Sequence, residues 1–212
     1  MIATRRFFDE MASRYDHDIR EVGWDPVSLL QTWPFVVPTE CEFLDAGCGT
    51  GALMEHVAGA GRTLAGFDLS PAMVARARRR RSLRDAELHV ASAGEPWPFA
   101  SARFHSVTML AMLEFVERID LAFDELQRVM RTGGRALVSV EDVCDWDGTR
   151  RPEREERYGR FPLWRRSLED VEICLPPGLD VVTTSRVRAY TVIELGFTCA
   201  YWVLELERNA RA

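Results

Sequence analysis

Two acids, each closing a short apolar run, are the chain's first candidates for chemistry. Asp45 follows the run Cys41 to Leu44 and opens onto Gly47, Gly49 and Gly51 within FLDAGCGTG. Three glycines where a strand turns sharply into a helix let a ligand lie against bare backbone. They also leave N–H groups at a helix N-terminus facing whatever binds. Asp68 closes the run Thr63 to Phe67. A strand–helix–strand unit sets a ribose-binding carboxylate there, about 20 residues beyond the glycines. A purely structural tight turn is the alternative reading of the same glycines.

The elements that must position these groups follow from periodicity. Leu53, Met54, Val57 and Ala58 share one face of a helix opened by Thr50 and Gly51. Ser70 and Pro71 form an N-cap and N1 pair for a helix running to about Arg81, burying Met73, Val74 and Ala77. A strand is expected over Glu87 to Ala91, and a strand plus loop over Phe104 to Val116. Ile119, Ala122, Phe123, Leu126 and Met130 mark the next helix, which Gly133-Gly134 turn into a strand from Arg135 to Val140. Ahead of all these, residues 4 to 17 read as one helix with Phe8, Met11, Ala12 and Tyr15 on its apolar face. Trp24 to Pro38 read as irregular structure or a short helix.

Beyond Val140 the pattern changes. Residues 142 to 175 carry Trp146, Tyr158, Phe161 and Trp164 among mixed charges, and the simplest expectation is a solvated charged helix with anchoring aromatics. The segment also follows the fifth strand, where a substrate-side insertion would sit. Two β-rich runs close the chain, Leu179 to Arg188 and Thr198 to Glu207.

Composition narrows the classes. The chain has 212 residues, 47% of them hydrophobic, enough for one domain with a substantial core. The net charge of −6 argues against a general polyanion binder. All 27 basic residues are arginine, so lysine Schiff-base chemistry is excluded. The arginines from Arg76 to Arg84 invite a nucleic-acid reading, but a helix dipole favours them in a last turn. The five cysteines are scattered without a CxxC pair, which predicts reduced thiols and no metal site. Without a signal-like or membrane-length apolar run, a cytoplasmic protein is expected.

FLDAGCGTG followed by AGFDLSPAM resembles motif I and its successor in the class I S-adenosylmethionine-dependent methyltransferases. The likeness is closest to the broad type 11-like group with small-molecule acceptors, and extends over Phe99 to Val140. The resemblance implies a Rossmann-like α/β fold: a seven-stranded, mostly parallel sheet with an antiparallel last strand and helices on both faces. It implies S-adenosyl-L-methionine as cofactor, with S-adenosyl-L-homocysteine as product. Asp45 would brace the glycine loop and the ligand's amino group, while N–H groups from Gly47, Cys48, Gly49 and Gly51 would meet its carboxylate. Asp68 would take the ribose hydroxyls, flanked by Leu69 and Met73. Leu110 and Ala111 would pass close to the sulfonium. The ASRYD stretch would place Tyr15 in a lid formed within residues 1–38.

This chain departs from the family pattern in three places. Ala93 stands where an adenine-binding Asp is common, leaving backbone near Ala93 and Gly94, or Glu95, to hold the base. His105 replaces an Asp at the far end of a strand, which suggests a structural role. Phe115 replaces a histidine near the reacting centre, leaving Glu114 and Tyr15 as weak catalytic candidates and His17 and Asp142 as unplaced ones. The expected partner is a small-molecule acceptor, with nucleic acid and membrane disfavoured. An RNA or protein methyltransferase and a non-catalytic cofactor-binding protein remain alternatives.

Overall fold

The computed structural model describes residues 1–21, 23, 26–33, 35–157, 160–192 and 196–210; Trp24 and Tyr158 fall outside them. Alternation along the first strands sets the layers. In β1 (Glu42–Ala46), Phe43 faces one side of the sheet and Leu44 and Ala46 the other. In β2 (Thr63–Asp68), Leu64 and Ala65 divide in the same way. Such strands are buried on both faces, as a parallel sheet covered by helices requires. Helix α4 (Ala52–Val57) places Leu53, Met54 and Val57 in the Phe43 layer, while α6 (Ile119–Val129) places Ala122, Phe123 and Leu126 in the Leu44 layer.

The main sheet is completed by β3 (Glu87–Val90), β4 (Phe104–Met109), β5 (Met130–Glu141), β8 (Leu179–Val192) and β9 (Phe197–Arg208). Its order is β3-β2-β1-β4-β5-β9-β8. The pairings are parallel except those of β9, which runs antiparallel to both neighbours. The seven-stranded class I arrangement is therefore present with its last strand reversed. The strand order changes direction between β1 and β4, and in such sheets ligands bind at that switch point, beyond the carboxyl ends of the strands.

Several boundaries differ from the periodicity reading. The N-terminal stretch is two helices, α1 (Ile2–Met11) and α2 (Tyr15–Glu21), with a turn between them. α3 (Pro26–Thr32) supplies the short helix before β1. α5 (Pro71–Ala77) ends before Arg78 to Arg81, leaving Arg76 in its last turn, and Ser70 caps it as expected by accepting from Met73 N at 3.1 Å. β5 begins at Met130, so Gly133 and Gly134 lie within a strand. The largest correction concerns residues 142–175. They form a hairpin, β6 (Arg154–Arg157) with β7 (Phe161–Trp164), followed by α7 (Leu168–Ile173).

The charges of that hairpin divide: Arg154 and Glu156 face solvent, as expected, while others turn inward. Arg157 and Arg165 are buried, and both pair with Glu141 at the end of β5, at 3.2 and 2.7 Å. Tyr190 donates to the same carboxylate at 2.9 Å. Burying one charge without its partner would be far more costly than burying the pair, so Arg157 and Arg165 bind the hairpin to the sheet through Glu141. Among the described residues, no helix is long and apolar enough to cross a membrane.

Candidate active site

A cavity of about 340 Å³ opens where the carboxyl ends of β1, β2 and β4 meet, beneath α1 and α2. The register of β1 and β4 sets Thr108 beside Asp45, and the Thr108 hydroxyl donates to Asp45 Oδ1 at 2.7 Å. Asp68 is fixed by two backbone donors, Gly49 N at 2.9 Å on Oδ2 and Ser70 N at 2.8 Å on Oδ1. One carboxylate thereby braces the glycine loop and the start of α5 together. Burial raises the pKa of Asp45 to about 7, with Asp68 adding repulsion and Thr108 opposing it. Burial likewise raises Asp68 to about 6, against the two backbone hydrogen bonds.

The glycines have separate duties. A side chain at Gly47, where φ is +78°, would strike Met112 Cγ at 2.5 Å, so the loop after β4 depends on this gap. At Gly49 a Cβ would meet only Tyr15 Cε1, at 3.9 Å, leaving the space over the backbone open toward the cavity. At Gly51 it would strike Leu83 and Ala77. Gly51 thus serves close packing against α5 and does not line the cavity. The N–H groups of the loop are also less free than expected. Those of Gly47 and Cys48 both donate to Phe67 O at 2.9 Å, that of Gly51 to Cys48 O, and that of Gly49 to Asp68.

The cavity brings together Asp45, Gly47, Cys48, Gly49, Asp68, Leu69, Met73, Ala93, Gly94, Leu110, Ala111 and Tyr15. Glu95 is exposed and outside it. The segment near Ala93 is held by Trp97, whose indole donates to Ala93 O at 3.1 Å. Ala111 has φ of +52°, an uncommon conformation for a residue with a side chain, and its N–H donates to Ser139 Oγ at 2.8 Å. Such strain gathers at ligand sites.

The acid and base candidates fall mostly elsewhere. Glu114 is buried, outside the cavity lining, and accepts from Tyr201 Oη at 2.6 Å. Burial and the neighbouring Glu141 lift its pKa to about 7. Tyr15 lines the cavity, but burial and then the Asp68 and Glu114 charges push its phenol above the ordinary range. His17 is exposed beside Asp18, and Asp142 is paired with Arg186 at 2.7 Å. His105 accepts from Glu42 N at the amino ends of the strands.

Periodicity did not reveal the aromatic side of the cavity. Phe8, Phe115 and Trp164 line it, with Phe8 and Phe115 edge to face at 5.0 Å between centroids. Phe161 extends the cluster behind them, 5.9 Å from Phe115 and 4.4 Å from Phe7. Phe8 and Phe115 come from sequence-distant elements, and only the hairpin fold brings Trp164 to them. Trp146, by contrast, is exposed and packs under Arg186.

A glycine loop, two acids closing adjacent strands and this strand order define a Rossmann-like methyltransferase fold. A methyltransferase-domain family model matches residues 44–138. The demethylmenaquinone methyltransferase of Clavibacter sepedonicus is 32% identical over 186 residues, which cover 86% of this chain and 70% of that protein. A malonyl-[acyl-carrier protein] O-methyltransferase of Erwinia pyrifoliae is 33% identical over 139 residues, covering 62% of this chain and 52% of that one. In three dimensions the chain is similar to an S-adenosylmethionine-dependent methyltransferase from Mesorhizobium loti. The TM-score is 0.68 at 18% identity, covering 85% of this chain and 96% of that one. The chain belongs to the class I S-adenosylmethionine-dependent methyltransferases, type 11 group.

Proposed function

We propose that the cavity binds S-adenosylmethionine through Asp45, Asp68 and the backbone of the glycine loop, and that the aromatic side admits a small-molecule methyl acceptor. One observation carries this reading. Asp45 is buried and Asp68 half-buried in one cavity, and neither pairs with a basic side chain among the described residues. Acids shielded from water in that way are costly to ionise unless a ligand brings donors. An ammonium beside Asp45 and a ribose diol beside Asp68 supply them. The open space over Gly49 suits close approach of the ligand to backbone.

When bound, the cofactor supplies an electrophilic methyl on its sulfonium. The chain's own work is positioning. Asp68 orients the ribose, Leu110 and Ala111 shape the wall beyond β4, and Tyr15 covers the glycine loop. Phe8, Phe115 and Trp164 offer flat apolar surface and exclude water, which suits a planar or apolar acceptor. Phe115 cannot accept a proton, and Glu114 lies behind the cavity wall. The reading therefore favours an acceptor already nucleophilic near neutral pH, such as an acidic phenol, a stabilised carbanion, a thiolate or an aromatic nitrogen. Alignment can then contribute more to the rate than a general base does. The relatives' names give two different acceptors, a demethylmenaquinone and a malonyl group on a carrier protein, so neither is transferred to this chain.

Incubating the protein with methyl-labelled cofactor and a panel of these acceptor classes tests the assignment. Label in at least one small acceptor supports it. Binding of cofactor with label in none of the panel would favour the non-catalytic alternative.

A further inference from the structure

We infer that Arg80 and Asp16 form a latch that fixes Tyr15 over the glycine loop and so controls how long the nucleoside ligand is held. The inference rests on the cofactor site proposed above. Arg80 lies just beyond α5 and turns back toward the loop. Its Nε donates to Thr50 O at 2.7 Å, its Nη2 donates to Asp16 Oδ2 at 2.7 Å, and its Nη1 pairs with Glu55. The other oxygen of Asp16 accepts from the Thr50 hydroxyl. Asp16 is thus held on both oxygens, and Thr50 through both its carbonyl and its hydroxyl. Thr50 and Tyr15 both line the cavity, and Asp16 follows Tyr15 directly in α2.

The chemistry needs an arginine. A planar guanidinium sends N–H groups in three directions to three partners, which a lysine ammonium cannot reproduce in that geometry. The pair is partly shielded, with 21% and 28% of the two side chains exposed, so salt weakens it without abolishing it. A second attachment keeps the lid on the protein when the latch is broken. Asp9 of α1 accepts from Ser70 Oγ at 2.6 Å and from Ala72 N at 3.2 Å. Loss of Arg80 should therefore loosen the lid locally and not detach it.

The test is the dissociation rate of S-adenosylhomocysteine, measured by stopped-flow displacement in folded wild type and variants. Arg80→Met and Asp16→Asn should each speed release about tenfold, and the double variant should be little faster than either single one. Arg80→Lys should be intermediate. Release from wild type should quicken with salt, and release from the variants should change less. Arg103→Met is the control, since Arg103 bridges Glu42 and Glu87 at the opposite end of the strands and should leave release unchanged. Unchanged release in Asp16→Asn and Arg80→Met, additive effects, or an equal effect of Arg103→Met would overturn the latch. A wild type that binds no S-adenosylhomocysteine would instead overturn the cofactor site, and the latch with it.

Discussion

Thr108 donates its hydroxyl to Asp45 at 2.7 Å across two adjacent parallel strands, at the point where the sheet changes direction. The bond holds a carboxyl whose pKa burial has raised to about 7. Asp68, raised to about 6, lies in the same cavity. Without a ligand both groups therefore take up protons as the pH falls through about 7 and about 6.

The sign of the pH dependence follows. A ligand bringing an ammonium and hydroxyl donors favours the ionised acids, so below about pH 7 binding must displace protons. Affinity for S-adenosylhomocysteine should rise with pH between about 5 and 8, by at most about tenfold per unit for each group, and then level off. Calorimetry across that range checks it. Asp45→Asn should remove the upper part of the rise, and a flat profile in wild type would show that neither acid meets the ligand.

Gly47 and Gly49 should fail in different ways. Gly47→Ala forces a side chain into Met112 at positive φ and should lower stability by about 1–3 kcal/mol in thermal or urea unfolding. Gly49→Val meets no side-chain clash, but a β-branched residue is strained at its φ of +52°, so it should lose ligand binding in addition to some stability. Normal binding by a folded Gly49→Val protein would mean that no ligand approaches this backbone.

Trp164→Ala should leave S-adenosylhomocysteine affinity within about threefold of wild type while slowing single-turnover methylation at least about tenfold, because an acceptor wall is lost. Trp146→Ala, on the exposed side of the same insertion, should change neither. Equal loss of binding and transfer in Trp164→Ala would assign that residue to structure alone.

Glu114→Gln should cost less than about tenfold in single-turnover methylation, below the roughly 10²–10⁴-fold typical of a general base. Its stability carries a separate signature. The folded pKa of Glu114 is raised from 4.5 to about 7, so its stabilising effect is complete below the unfolded value and lost as pH rises through 7. The variant should therefore melt relatively better at pH 8 than at pH 5, compared with wild type. A loss of several hundredfold in methylation with ligand affinity intact would make Glu114 the base.

Much of the nucleotide half was legible because short-range rules govern it. The alternation of Phe43 and Leu44, the Ser70-Pro71 cap and the acid closing each strand are written within a few residues of where they act. The same local reading missed the duties of Gly47 and Gly51, since Met112 and Leu83 are distant in sequence. It misjudged residues 142–175 for a related reason. Charge suggested solvent, whereas Arg157 and Arg165 meet Glu141, a partner from another strand that no helical or alternating period reveals. The aromatic wall was legible in part: Phe115 stood near the reacting centre and Trp164 in the substrate-side insertion, whereas Phe8 looked like an ordinary apolar position of its helix.

The most direct measurement is calorimetric titration of S-adenosylhomocysteine into wild type and Asp68→Asn near pH 8, with unfolding curves for both. Asn keeps the size of the side chain and one acceptor, but loses the charge that strengthens the ribose hydrogen bonds. These are worth about 1.5–3 kcal/mol each at most. The cofactor assignment predicts saturable one-to-one binding by wild type and an affinity at least about tenfold weaker in a folded Asp68→Asn protein. Equal affinity in the two proteins, or no binding by wild type, would contradict it.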